Sequence, residues 1–218
     1  MASLEEVQLA IDAGADAVGF VCAIPASPRT IDHQTVATIA SLVPPPTATF
    51  LLTSESTAVG IAQHVQMTGT STVQLLSHLS LGESEQLPKL LPMTRRVQVI
   101  HVEDDSALDL IDPYAPHVHA FLLDSGRPTL STPEYGGTGR THDWSVSAEF
   151  VRRSPHPVFL AGGLSPVNVR AAMEVVRPFG VDLCSGVRTG GALDRDKLKA
   201  FIDAVRKTDG ELLKNLEG

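Results

Sequence analysis

The sequence predicts an α/β fold with a parallel sheet, and three observations lead to this class. Short and almost continuously apolar runs recur along the chain, as in strands buried on both faces of a sheet. Amphipathic stretches with helical spacing lie between several of these runs. The connections are short, so strands and helices alternate as βα units.

Each apolar run is a predicted strand. The seven runs span residues 17–22, 47–52, 72–76, 97–102, 119–124, 157–161 and 181–185. Helical spacing is clearest over residues 61–67, 167–176 and 198–205. With right-handed crossovers, this order fits either a (β/α)₈ barrel or an open doubly wound sheet. No G-x-G-x-x-G segment follows the first strand, which disfavours a dinucleotide-binding open sheet.

The chain is predicted to begin with a helix rather than a strand. Ser3 and Glu6 have the spacing of a capping box, Leu4 and Val7 start an apolar face, and Gly14 suits a helix end. An α/β barrel is expected to open with a strand. The pattern therefore resembles a barrel that is incomplete at its N-terminus, with the first β-strand missing.

Composition limits the classes of function. A chain of 218 residues with 43% hydrophobic and 19% charged residues suits one soluble domain spanning 1–218. We expect no membrane span and, without a secretory signal, a cytoplasmic location. A net charge of −8 argues against nucleic acid as a partner, but a phosphorylated small molecule can be held by backbone N–H groups. The histidines and cysteines lack metal-ligand spacing, so no metal is expected.

Glycine-rich segments follow the late strands. They are 136–139 (GGTG), 161–164 (AGGL) and 185–187 (SGV). Glycine lets backbone N–H groups approach a ligand, and barrels commonly bind phosphate at their last two loops. Each segment could also be an ordinary turn. Their placement in successive late loops is what favours a phosphate site.

Two charged residues follow strands in positions typical of a site. Asp124 ends the fifth strand, and a carboxylate at this position is either catalytic or caps the following loop. Arg29 follows the first strand and could clamp a carboxylate with its planar guanidinium, or be a surface arginine after Pro28. From these residues alone both alternatives remain open.

Longer segments resemble one family. GADAVGFVCAIPASPR (14–29) is similar to GADAxGFxFxxxSPR, LLDS (122–125) and YGGTGRTHDW (135–144) to LLDS and GGTGxxFDW, and LAGGLSPVNV (160–169) to LAGGLxPxNV. These are patterns of the phosphoribosylanthranilate isomerases, and the resemblance runs in order through nearly the whole chain. It implies a (β/α)₈ barrel and an Amadori rearrangement in tryptophan synthesis, in which N-(5-phosphoribosyl)anthranilate becomes 1-(2-carboxyphenylamino)-1-deoxyribulose 5-phosphate.

The resemblance also implies roles for individual residues, with no metal and no organic cofactor. Asp124 would be the acid that opens the sugar ring, and Arg29 would hold the anthranilate carboxylate. The phosphate would lie against residues of the three glycine-rich segments. They are Gly136, Gly137, Gly139, Gly162, Gly163, Ser185 and Gly186.

The base is the residue that the resemblance leaves unassigned. The family carries a cysteine base on its opening strand, and no run of this chain corresponds to that strand. Cys22 is one candidate replacement, although a core cysteine is the plainer interpretation. His101, in the fourth predicted strand, is a lesser candidate. The alternative function is a non-catalytic, phosphosugar-binding paralogue. A homodimer, or a partner chain, is expected to cover the open edge of the barrel.

Overall fold

A computed structural model describes residues 1–24, 27–126 and 142–217 of the chain. All seven predicted strands are present, and their ends lie within four residues of the expected ones. They are β1 (Ala17–Val21), β2 (Ala48–Thr53), β3 (Thr72–Leu75), β4 (Arg95–His101), β5 (Ala120–Asp124), β6 (Val158–Leu160) and β7 (Gly180–Val181). Within the described residues they form a seven-stranded sheet in the order β1 to β7. The printed registers between neighbouring strands of this sheet are parallel.

Helices follow the strands as predicted. They are α1 (Leu4–Ala13), α2 (His33–Ala40), α3 (Ala58–Thr68), α4 (Leu81–Leu90), α5 (Ile111–Tyr114), α6 (Trp144–Arg153), α7 (Val169–Val176) and α8 (Arg195–Glu217). The apolar periodicity of the sequence did not predict a small antiparallel hairpin of β8 (Arg188–Thr189) and β9 (Ala192–Leu193). Two-residue strands are too short to show a periodicity. The turn between them, Gly190-Gly191, was the signal that could have revealed the hairpin.

The predicted opening helix is confirmed together with both of its caps. Ser3 Oγ accepts a hydrogen bond from the Glu6 N–H, and the Glu6 carboxylate accepts one from the Ala2 N–H. Gly14 ends α1 in the left-handed region with φ of 98°, where a side chain would be strained. These caps place the end of α1 three residues before β1.

The chain divides into two compact units. One comprises residues Met1–Val99 and Asp112–Phe121, and the other comprises Ile100–Ile111 and Leu122–Gly218. In the first unit, β1 and β2 alternate between buried and partly exposed positions, so each strand has one densely packed face. The second unit contains the ends of β4 and β5 with β6, β7 and the late loops. The prediction of a single domain over 1–218 stays a prediction.

Arg96 binds backbone carbonyl groups at the amino-terminal ends of β4 and β5 in the first unit. Its guanidinium donates hydrogen bonds to the carbonyl oxygens of His117 (2.8 Å), Leu91 (3.0 Å) and Thr94 (3.2 Å). The Arg96 backbone N–H also donates to His119 Nδ1. Arg96 is 7% exposed, so these carbonyl groups rely on the side chain rather than on water.

Replacing Arg96 with methionine is expected to lower the free energy of unfolding by about 2–4 kcal/mol, because buried carbonyls lose charged donors. Methionine keeps most of the side-chain volume and removes only the hydrogen bonds. Urea denaturation measures the change. Arg95→Met is the matched control, since Arg95 is the exposed neighbour. Equal stability of the two variants would contradict the structural role of Arg96.

Candidate active site

Asp124 is the last residue of β5, and strand registers place it beside the ends of the neighbouring strands in the second unit. The Ala161 N–H donates to the Leu123 carbonyl, and the Asp182 N–H donates to the Leu160 carbonyl. Leu160 also pairs with Val181. One residue further along, Asp124 at the end of β5 lies opposite Ala161, which directly follows β6, and Ala161 lies opposite Asp182, which directly follows β7. Directly opposed residues point to the same face of a sheet.

His101 joins the same row from β4. The Val102 N–H donates to the Asp124 carbonyl at 2.9 Å, which sets His101 opposite Asp124. His101 is buried. Three polar residues therefore share one row at the carboxyl ends of the strands, where α/β barrels bind their substrates.

The Asp124 carboxyl group has the electrostatics of a general acid. Burial raises its pKa to about 6, although hydrogen bonds from Ser125 act to lower it. One of these bonds runs from the Ser125 N–H to Asp124 Oδ1, at 2.7 Å. A carboxyl group with a pKa near 6 keeps a usable protonated fraction close to neutral pH. The raised pKa suits the acid role predicted from the sequence, and that role stays a prediction.

The AGGL segment turns directly against the end of β5. Gly162 and Gly163 both adopt positive φ, at 82° and 65°. A Cβ atom at Gly162 would lie 2.7 Å from the Ser125 backbone nitrogen. Only glycine gives both this backbone conformation and this close approach. The segment therefore lies against the backbone that carries Asp124.

The SGV segment packs in turn on the AGGL segment. A Cβ atom at Gly186 would lie 2.0 Å from the Leu164 carbonyl oxygen, so the two backbones are in contact. Asn168 braces the first loop, accepting from the Ser165 N–H and donating to the Gly163 carbonyl. Gly162, Gly163, Ser185 and Gly186 are thus brought together. Gly136, Gly137 and Gly139 lie outside the described residues.

Arg29 belongs to the first unit and lies in a turn after β1. The Thr30 N–H donates to the Ser27 carbonyl, and the Arg29 N–H donates to Ser27 Oγ. The Arg29 side chain is half-buried, and its buried Nε has no hydrogen-bond partner among the described residues. A guanidinium with an unused buried donor suits an anionic ligand.

Cys22 also lies in the first unit, directly after β1. It shares the densely packed face of that strand with Val18 and Phe20, and none of its surface is exposed. Burial and the nearby Asp32 raise the pKa of its thiol. A general base needs the thiolate, which both influences oppose. The surroundings of Cys22 therefore favour a core cysteine, and its role as the base stays a prediction.

Asp182 is the site residue that the sequence analysis missed. It stands in the last apolar run, VDLCS, as the single charged residue, and that was the available signal. Desolvation by the surrounding protein and the charge of Asp124 raise its pKa to about 6. The second unit thus carries two carboxyl groups with raised pKa values on one strand face.

In the part of the chain that the structure covers, no helix is long and apolar enough to cross a membrane. Within the same residues, no group of three or more histidine, cysteine or carboxylate side chains is placed to hold a metal ion.

Comparison with known proteins assigns the family. A family model described as N-(5'-phosphoribosyl)anthranilate (PRA) isomerase matches residues 1–204. The N-(5'-phosphoribosyl)anthranilate isomerase of Pelobacter propionicus is 37% identical over 213 residues, which cover 96% of this chain and 94% of that protein. The corresponding isomerase of Haloferax volcanii is 36% identical over 204 residues, which cover 92% of this chain and 88% of that protein.

A solved structure agrees with the sequence relatives. The phosphoribosyl anthranilate isomerase of Thermotoga maritima matches with a TM-score of 0.81 at 30% identity, covering 95% of this chain and 96% of that chain. Together with the parallel strands in chain order, this likeness confirms the α/β fold class of the (β/α)₈ type. The chain belongs to the N-(5'-phosphoribosyl)anthranilate isomerase family.

Proposed function

We propose that this chain catalyses the isomerisation of N-(5-phosphoribosyl)anthranilate to 1-(2-carboxyphenylamino)-1-deoxyribulose 5-phosphate in tryptophan biosynthesis. The observation that carries the proposal is Asp124, a carboxyl group with a raised pKa whose neighbour Ser125 lies against the AGGL segment, on which the SGV segment packs. An acid and a close-packed glycine cradle in one unit suit a phosphorylated sugar whose ring must be opened.

Each residue has a defined task in the reaction. Asp124 donates its proton to the ring oxygen, the bond from that oxygen to C1 breaks, and a cationic imine forms. Gly162, Gly163, Ser185 and Gly186 hold the phosphate, and Gly136, Gly137 and Gly139 are proposed for the same role from the sequence resemblance. Arg29 binds the anthranilate carboxylate. A base then takes the C2 proton, and the resulting enolamine rearranges to the ketose.

Direct turnover tests the proposal. Purified chain is incubated with phosphoribosylanthranilate, and the ketose product is separated from the substrate and quantified. Product formation in proportion to enzyme supports the activity. Saturable binding of ribose 5-phosphate without turnover would instead identify the non-catalytic, phosphosugar-binding paralogue. Growth of a tryptophan auxotroph that lacks this isomerase gives a second readout for the same chain.

Arg29→Met is expected to raise KM by about 10–100-fold with little change in kcat, since one charged hydrogen bond to the substrate is lost. A substrate analogue without the carboxylate should be equally poor for both enzymes, because Arg29 then has nothing to hold. Arg195→Met, at an exposed arginine, is the matched control. A fall in kcat with unchanged KM would contradict carboxylate binding.

The remaining expectations concern the surroundings of the protein. A phosphorylated small molecule is the partner that the site favours. A homodimer or partner chain at the edge of the sheet stays a prediction. Light scattering of the purified chain measures its molar mass and so tests for a homodimer. The cytoplasmic location also stays a prediction.

A further inference from the structure

Asn168 stands at the N-cap position of α7, yet its side chain does not cap the helix. Asparagine is among the preferred N-cap residues, because its side-chain oxygen can accept a hydrogen bond from the first helical turn. Here the side chain turns back to the AGGL segment. Its Oδ1 accepts from the Ser165 N–H at 2.8 Å, and its Nδ2 donates to the Gly163 carbonyl oxygen at 3.0 Å. The amide of Asn168 therefore binds the loop rather than the helix.

These two hydrogen bonds orient the peptide groups on both sides of Leu164. A peptide group is planar and trans, so its C=O and its N–H point in opposite directions. The Gly163 carbonyl points to Asn168, and the N–H of Leu164 therefore points away from Asn168. The Ser165 N–H points to Asn168, and the carbonyl of Leu164 therefore also points away from Asn168. One side chain thus sets the direction of both backbone polar groups of Leu164.

The Leu164 carbonyl, oriented in this way, lies against the SGV segment. A Cβ atom at Gly186 would lie 2.0 Å from the Leu164 carbonyl oxygen. The N–H groups of Gly163, Leu164 and Gly186 donate to no acceptor among the residues that the structure describes. Backbone donors without a partner beside close-packed glycines suit a phosphate, which accepts several hydrogen bonds. The direction of the Leu164 peptide groups therefore bears on phosphate binding.

Building on the phosphate site of the proposed function, we propose that Asn168 is a positioning residue for phosphate binding, which acts through Leu164. Asn168 holds the Leu164 N–H toward the ligand and the Leu164 carbonyl against Gly186. It thereby sets the spacing between the AGGL and SGV segments. The task needs a side chain with both an acceptor and a donor, since the Ser165 N–H only donates and the Gly163 carbonyl only accepts. The planar amide of asparagine supplies the two on separate atoms.

Asn168→Ser separates this role from that of a helix cap. Serine caps a helix about as well as asparagine, but its shorter side chain cannot bridge the two peptide groups. The variant is expected to bind ribose 5-phosphate about 10–100-fold more weakly, because a displacement of about 1 Å in a binding loop can cost about 100-fold. KM for phosphoribosylanthranilate should rise with little change in kcat. Calorimetry measures the affinity, and the midpoint of urea denaturation should stay close to that of the wild type.

Amide NMR of ¹⁵N-labelled protein tests the donor itself. Ribose 5-phosphate should move the Leu164 amide proton of the wild type downfield, as a hydrogen bond to phosphate does. In Asn168→Ser, saturated with the same ligand, the shift should be much smaller. Asn168→Ser combined with Gly186→Ala should weaken binding by less than the product of the separate effects, because both changes act on the same Leu164 contact. A residue that only stabilised α7 would change neither the shift nor this additivity.

Ser80→Ala is the matched control, since Ser80 Oγ accepts from the Glu83 N–H and caps α4 in the first unit. It should lower stability and leave ribose 5-phosphate binding unchanged. Wild-type affinity of a folded Asn168→Ser protein would overturn this inference and leave the proposed function standing. No binding of ribose 5-phosphate by the wild-type chain would overturn the inference together with the phosphate site. Binding that depends on Asn168, without turnover, would support the inference and remove the isomerase activity.

Discussion

Asp124→Asn is expected to lower kcat by about 10²–10⁴-fold, because opening of the sugar ring loses its proton donor. Asparagine has almost the same shape, so the row of β5, β6 and β7 should persist while the acidic proton is lost. Steady-state kinetics with phosphoribosylanthranilate measures the change. Asp203→Asn serves as the exposed control. An Asp124→Asn enzyme with wild-type kcat would show that another group opens the ring.

Asp124→Asn is expected to make the folded chain more stable although it lowers kcat. Misfolding of the variant would therefore not account for a loss of activity. The pKa of Asp124 is raised in the folded chain to about 6, so the folded state holds the proton more tightly than the unfolded state. Stability then falls as pH rises from about 4 to about 6 and stays low above that range. Asp124→Asn removes this penalty and should raise stability at pH 8 by at most about 3 kcal/mol. Melting temperatures at pH 4 and pH 8 measure the difference.

Gly186→Ala is expected to weaken ribose 5-phosphate binding by about 100-fold, because displacement of a binding loop by about 1 Å can cost that much. The added Cβ atom would lie 2.0 Å from the Leu164 carbonyl oxygen and 3.2 Å from the Ser165 Cα. Both contacts are to backbone, so no side chain can turn aside to make room. The SGV and AGGL segments must separate, which enlarges the phosphate cradle. Isothermal calorimetry measures the affinity.

A second glycine in the same unit provides the matched control. Gly210 lies inside α8, and a Cβ atom there would meet nothing within 4 Å. Gly210→Ala should therefore leave binding unchanged and stabilise the helix by up to about 1 kcal/mol. A folded Gly186→Ala protein that binds ribose 5-phosphate as tightly as Gly210→Ala would contradict the proposed cradle.

Much of the fold could be predicted from local sequence. The seven apolar runs, the capping box at Ser3 and the stop at Gly14 depend on neighbouring residues, and the structure confirms all of them. The hairpin of β8 and β9 escaped prediction because two-residue strands carry no periodicity. Strand ends differ from the predicted ones by up to four residues, since pairing with a neighbouring strand sets them and pairing is not local.

Parts of the site were equally visible in the sequence. Asp124 stood out because a carboxylate ends an apolar run, and Gly162 and Gly186 stood out because glycines after late strands allow close backbone approach. Cys22 was harder to interpret. A one-residue change of phase would turn its side chain to the other face of the strand, and the sequence of one strand does not set that phase.

By itself the sequence determined the α/β class, the number of strands in the main sheet and the family, because these follow from local patterns and motifs; it also predicted an acid at Asp124. Only the tertiary structure decided that Asp182 stands in one row with Asp124 and that Cys22 faces the packed side of its strand. It also decided that the backbone at Gly186 touches Leu164. Each of these facts depends on register and packing between segments that are distant in the chain, and local sequence does not encode such contacts.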